Sequence, residues 1–363
     1  MLKRVPWTVV VPLLALLTLA LTWGEELGPV AAAAVAVVMG GAVLTAVNHA
    51  EVVAVRVGEP FGSLVLAVAV TIIEVTLIVA LRASGGSEAA TLARDTVFAA
   101  VVITMNGIAG LSLLLGSRRY GVTLFNAEGS GAALATLTTL ATLALVLPTF
   151  TSHVGNEFSP AQLAFAAIAS LGLYLLFVFT QTVRHRDFFL PVAQKGQKAL
   201  PFEDESHAEP PSTQHALSSL ALLLVALAAV VGLAEEESPP IERLVSAAGF
   251  PHSFVGVVIA ALVLLPETLA AVRAARQGRI QTSLNLAYGS ALASIGLTIP
   301  AIALASVWLK GPLVLGLGPL QLALLALTVV ISVLTVVPGR ATRLQGEVHL
   351  VVLAAYVFLS LFP

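Results

Sequence analysis

Two glutamates stand where a carboxylate is hardest to keep. Glu74 lies in the apolar run from Phe61 to Leu81 and Glu267 in the run from Ser253 to Val272, and of the 20 acidic residues they are the two placed well inside such a run. An ionisable group at the centre of a bilayer costs about 2.5 to 3.5 kcal/mol on insertion scales, so a chain that carries it twice has a use for it. Two carboxylates sharing a poorly solvated site suit a hard cation. They equally suit one or two protons, because like charges raise each other's pKa. Competition between cation and proton for the same oxygens is sufficient for exchange.

The flanking residues supply further oxygens at helical spacing. Thr71 precedes Glu74 by one turn, on the same face. Pro266, next to Glu267, has no amide hydrogen and disfavours a straight helix, which frees a carbonyl about one turn earlier, near Leu262. Broken helices with free carbonyls are a common way for transporters to coordinate cations. Ser283, Ser290, Ser294 and Thr298 form a hydroxyl stripe in a later run, with Asn285 nearby, and Thr104 and Asn106 occupy the corresponding place in the first half. The ordinary alternative for each hydroxyl is a bond to a neighbouring backbone carbonyl.

These residues must be held by membrane-spanning elements, because nothing else accounts for the composition. The chain has 363 residues, 58% hydrophobic and only 10% charged, with a mean hydropathy of +0.98. Soluble domains carry roughly a quarter charged residues. A spanning helix needs roughly 20 mostly apolar residues, and about 11 such runs are predicted. They cover 7–23, 29–47, 61–81, 96–115, 131–147, 161–183, 216–234, 253–272, 281–308, 314–337 and 348–362. The chain is thus read as an all-α polytopic membrane protein. A net charge of -2 offers no basic face for nucleic acid, and the absence of cysteine excludes disulfides, thiolate metal sites and a cysteine nucleophile. No nucleotide loop, haem-ligand pattern or HExxH pair occurs, so no cofactor is expected.

Cytoplasmic loops carry the excess of Lys and Arg. With the N-terminus inside, 14 of the 18 basic residues fall on one side, which supports an N-in, C-out topology. Residues 184–215 then form a cytoplasmic linker with four prolines and the acidic run Glu203 to Glu205. Setting aside residues 1–27 as a peripheral helix leaves five spans in 28–183 and five in 216–363. An odd number per half makes the halves inverted repeats, with a site expected near the midplane where they meet.

The segments GEPFGSLVLAVAVTIIEVTLIVAL, Gly58 to Leu81, and LLPETLAAVRAARQGRIQTSLNLAYGSALASIGLTIP, Leu264 to Pro300, resemble the two alpha-repeats of the calcium/cation antiporter superfamily, most of all its ChaA-type calcium/proton antiporters. The resemblance implies a peripheral helix plus two inverted five-helix repeats. It implies export of calcium, or of sodium or potassium, against entering protons, and a bacterial inner membrane as the location. Carried over by position, Glu74 and Glu267 are implied to be the acidic ligands, with Asn106 and the region of Ser290 and Ser294 as polar partners; Thr71 joins them by its spacing, and the two glutamates are read as binding protons as well as cation. Vacuolar-type relatives place GNxxE at each glutamate, whereas this chain reads VTIIE and LLPE. The partners expected are inorganic cations, protons and lipid; a homo-oligomer is compatible with the sequence.

Two other function classes use the same acids: a cation channel and an intramembrane acid/base enzyme. The channel needs no inverted halves, and the enzyme lacks a serine and histidine pair or paired aspartates within the spans. The histidines, among them His49 and His349, fall at predicted span ends or in loops. There, polar residues ordinarily meet water and headgroups; a proton path through His49, Glu51 and Glu59 is the other reading.

Overall fold

The structure, a computed structural model, describes residues 6–25, 27–58, 61–84, 90–152, 155–194, 211–247, 249–251, 254–308 and 311–362. In a bilayer each backbone N–H and C=O must be satisfied within its own segment, and the chain answers with helices almost throughout. Eight helices among the described residues are long and apolar enough to cross a membrane, and a bent pair makes a ninth candidate. Two shorter apolar helices, Trp7–Thr22 and Ala67–Val79, complete the set.

The chain divides into two compact units, residues 1–89 with 208–255, and residues 90–207 with 256–363. The units cut across the sequence halves, since the first draws one helix from beyond the linker. It consists of α1 (Trp7–Thr22), α2 (Pro29–Val57), α3 (Phe61–Ser84) and α8 (Thr213–Ala247), with α2 packed against the other three. The α2 helix runs ten residues past its predicted end at Val47, and α8 continues past Ala234 to Ala247. Polar ties close both ends of this unit. Arg56 Nη2 donates to Thr213 Oγ1 (2.8 Å), and the Gly24 amide donates to Glu236 Oε1 (3.1 Å).

In the second unit, α4 (Leu92–Val102), a π-helical turn (Ile103–Ile108) and α5 (Ala109–Tyr120) form one interrupted span. Then come β1 (Val122–Leu124), α6 (Ala127–Ala141) and α7 (Pro160–Phe179). The later half supplies α9 (Phe254–Val263, from Gly256 onward), α10 (Leu265–Arg276), α11 (Ile280–Ala305), α12 (Pro319–Val336), β2 (Arg340–Thr342) and α13 (Arg343–Leu361). Strands β1 and β2 pair antiparallel with Thr123 opposite Ala341, tying the ends of α5 and α13 together.

Helices in lipid gain little from apolar burial against one another, so close backbone approach matters more. Helices α5 and α13 meet at Gly110 and Gly346. A Cβ on Gly346 would lie 2.7 Å from the Leu114 amide nitrogen and 2.8 Å from the Gly110 carbonyl oxygen. Neither is a side-chain tip that can swing aside. Gly346→Ala is therefore expected to destabilise the detergent-solubilised protein by about 1–3 kcal/mol, seen as a lower melting temperature in a thermal unfolding series. An unchanged melting temperature would show that the two helices can separate without loss.

The linker expected over 184–215 is partly built structure. Residues Arg186–Phe189 form a 3-10 turn, and the Gln194 side chain extends the ribbon by accepting from the Leu124 amide (2.9 Å) and donating to its carbonyl (2.8 Å). The acidic run Glu203 to Glu205 lies outside the described residues.

Candidate functional site

Glu267 sits at a break in the chain's own helix. The predicted run Ser253–Val272 is two helices, α9 and α10, bent by 55° with Leu264 at the joint. Pro266 occupies the first turn of α10, where its missing amide hydrogen costs no helical bond, and Glu267 follows it. A carboxylate in the first turn also lies at the positive end of the helix dipole. The side chain is half-buried. The break expected from Pro266 is present, and the carbonyl that follows the bend, Leu264, accepts from the Thr268 amide and hydroxyl at 2.9 and 2.7 Å.

Glu74 lies on α3 in the other unit, 4% exposed, with Thr71 one turn before it also buried. Of the neutral residues, Ser290 and Ser294 lie one turn apart on α11, Ser294 buried and Ser290 half-buried. Helices α10 and α11 pack together, and the π-helical turn bearing Asn106 packs on both. The second unit thus assembles Glu267, Ser290, Ser294 and Asn106 on contacting elements. Each of Glu74, Glu267 and Ser294 is engaged in further polar interactions.

Asn106 has partners that the sequence did not reveal. Its Nδ2 donates to Thr328 Oγ1 on α12 (2.9 Å), and its Oδ1 lies 3.0 Å from His349 Nδ1 on α13. An amide oxygen only accepts, so His349 carries its hydrogen on Nδ1 and its Nε2 accepts from the Thr335 hydroxyl (3.2 Å). His349, expected at a span end, is instead buried at 1% exposure, because α13 begins at Arg343 and places it in the second turn.

The hydroxyl stripe divides in the same way. Ser283 donates to the Ala271 carbonyl (2.7 Å), one turn past Glu267 on α10, and lies 2.6 Å from Ser112 Oγ on α5. It acts as a clamp that holds α10 on α11 and α5. At the start of α11, Gln281 accepts from the Asn126 amide (2.7 Å) and donates to Asn285 Oδ1 (2.9 Å), and Asn285 donates to the Phe189 carbonyl (2.7 Å). These amides position α11 and dock the 3-10 turn.

Glu74 is not alone among the acids in being buried. Asp95, one residue before the predicted fourth span, is 2% exposed, and Glu237, just past the apolar part of α8, is also 2% exposed. Asp95 accepts from Thr91, Arg94 and Gln321, the last 226 residues away. Burial pushes the Glu237 carboxyl up to about 7. No three metal-ligating His, Cys, Asp or Glu side chains cluster among the described residues. Glu74 in the first unit and Glu267 in the second carry carboxylate oxygens, and the neutral candidates carry hydroxyl and amide oxygens, donor types that suit hard cations.

Comparison with known proteins agrees with this architecture. A family model described as "Sodium/calcium exchanger protein" matches residues 27–183 and 218–362. The chain is 45% identical to the putative ionic transporter y4hA of Sinorhizobium fredii, over 98% of this chain and 96% of that one. It is 33% identical to the sodium-potassium/proton antiporter ChaA of Escherichia coli, over 96% of this chain and 94% of that one. Its fold matches the structure of native YfkE with a TM-score of 0.71 at 16% identity, covering 98% of this chain and 99% of the other.

Proposed function

Because this chain belongs to the sodium/calcium exchanger protein family, we propose that it is a secondary antiporter that exports a cytoplasmic cation, calcium or else sodium or potassium, in exchange for protons. Members of this family are secondary transporters, and the chain is an integral membrane protein. On our reading, Glu74 and Glu267 bind cation and protons in turn, with Thr71, Ser290, Ser294 and Asn106 as neutral ligands, and the residence is a bacterial inner membrane with the N-terminus inside.

The observation that carries this reading is Glu267 in the first turn of α10, just past the bend from α9, on a helix that packs against α11. A helix interrupted at a carboxylate gives oxygens that can rearrange when the occupant changes, which a continuous helix does not. The relative ChaA carries sodium-potassium/proton exchange in its name, which favours monovalent ions as a second reading beside calcium.

The test uses purified full-length protein in sealed liposomes with a trapped pH dye and an imposed proton gradient. Calcium, sodium, potassium and magnesium are added separately. Exchange predicts cation-dependent collapse of the gradient that saturates and reverses sign when the gradient is inverted. Conduction that ignores the pH gradient would establish a channel, and no collapse with any ion from folded protein would overturn the transporter reading.

A further inference from the structure

In a regular α-helix the carbonyl of Thr8 would accept from the N–H of residue 12, but residue 12 of α1 is proline and has none. His49 of α2 fills that vacancy: its Nε2 lies 2.8 Å from the Thr8 carbonyl oxygen. A carbonyl only accepts, so Nε2 carries the ring hydrogen, and Nδ1 of the neutral ring is a bare lone pair. The residue is 4% exposed, and Nδ1 has no hydrogen-bond partner among the described residues. By sequence His49 falls at a predicted span end, where polar residues ordinarily meet water and headgroups. The extension of α2 to Val57 puts it two turns inside a helix, against α1.

We propose that His49 is a further proton-binding site, in the same four-helix unit as Glu74, and that a proton on Nδ1 weakens loading of the transported cation. The effect on loading rests on the cation/proton exchange proposed above; proton uptake itself does not. Protonation converts a neutral ring into a cation in an apolar helix interface. Two cations in one poorly solvated unit oppose each other, and burying the imidazolium disfavours the arrangement that encloses it. The charged and titratable side chains described on the elements packed against α2 are Glu74 on α3 and His215, Glu236, Glu237 and Arg243 on α8. Helix α1 has none, and α2 adds Glu51 and Arg56. Linkage makes the effect reciprocal: if the proton weakens cation binding, the cation weakens proton uptake at His49 by the same factor.

Two measurements decide the matter. In full-length protein labelled with 15N-histidine and reconstituted in lipid, the His49 signals are assigned by their loss in His49→Gln. They are expected to report a single Nε2–H tautomer under alkaline conditions and, if the site takes a proton, a doubly protonated ring on acidification. Added cation should shift that conversion to lower pH. Pro12→Ala, which restores a helical N–H to the Thr8 carbonyl, should release the tautomer and give a mixture, and it provides the assignment if His49→Gln does not fold. In proteoliposomes, His49→Gln keeps a side-chain N–H for Thr8 but has no nitrogen to protonate. It should match wild type at alkaline pH and reduce the acid-induced rise in half-saturating cation concentration by about fivefold or more.

A His49 ring that stays neutral throughout, or pH profiles of wild type and His49→Gln that superimpose, overturns the proposal. If wild type exchanges no cation at all, the exchange reading has failed, and the histidine signals still decide whether His49 takes the proton.

Discussion

Glu267→Gln and Glu74→Gln are each expected to abolish cation-driven collapse of a proton gradient in liposomes while leaving a folded, membrane-inserted protein. Gln keeps the length and one acceptor oxygen of Glu but loses both the charge and the titrating proton. A dehydrated cation that loses one carboxylate ligand is left with an uncompensated buried charge, worth about 3–5 kcal/mol. In occupancy that is more than about a hundredfold. Exchange should fall at least that far in either variant, because a site that cannot be reloaded by protons stalls even where the cation still binds. Thermal stability should stay level or rise, since the neutral amide removes the expense of holding a carboxylate in an apolar run. A variant that kept a tenth of wild-type exchange would remove that glutamate from the transport site.

The largest loss of stability is expected at Asp95. It lies in the first turn of α4, where its Oδ1 accepts from Arg94 Nε (2.8 Å) and Gln321 Nε2 (3.0 Å), and its Oδ2 accepts from Thr91 Oγ1 (2.8 Å). Arg94 also forms an ion pair with it at 2.8 Å through Nη2, with side-chain exposures of 15% and 3%. Gln321 accepts from the Gly318 amide in turn, so the carboxylate binds the start of α12 to the start of α4. Gly256 of α9 also lies against it: a Cβ there would come within 2.8 Å of the Asp95 backbone. Asp95→Ala leaves a largely buried guanidinium and two further donors without their acceptor, at a cost of about 3–5 kcal/mol. Unfolding of the detergent-solubilised protein should show it as a large drop in melting temperature, partly recovered in the double variant with Arg94→Met. If Asp95→Ala melts within a degree or two of wild type, the cluster does not anchor these helices.

Asp95 also illustrates what could not be read in advance. By composition it precedes an apolar run and belongs to a loop; its burial depends on Gln321 and Gly256, which no local pattern connects to it. His49 and His349 were misplaced for a related reason. Hydropathy ends a predicted span at the first polar residues, whereas α2 continues to Val57 and α13 starts at Arg343, since a helix persists wherever its backbone bonds and packing persist. The partner of Asn106 was hidden too. Thr328 and His349 reach it from helices more than 200 residues away, so its spacing within its own helix carried no trace of them. Asn285, read as a neighbour of the hydroxyl stripe, holds the Phe189 carbonyl instead. Residues 186–194, read as flexible linker from their prolines and charges, are docked because that amide and Gln194 satisfy their backbone partners.

What the sequence determined by itself is what the bilayer makes compulsory. Long apolar runs had to be helices, because only internal hydrogen bonding satisfies a backbone in lipid. Glu74 and Glu267 stood out because so few acids can be placed within such runs, and Pro266 announced the joint of α9 and α10 because proline lacks the hydrogen a straight helix needs. Only the tertiary structure decided which helices share a unit, with α8 joining α1, α2 and α3. It alone decided which polar side chains spend their hydrogen bonds on one another and which nitrogen of His49 is left bare. The physical reason is range. Hydropathy and helix periodicity act over a few turns, whereas the partner of a buried polar atom is chosen by packing between segments that the chain order leaves far apart.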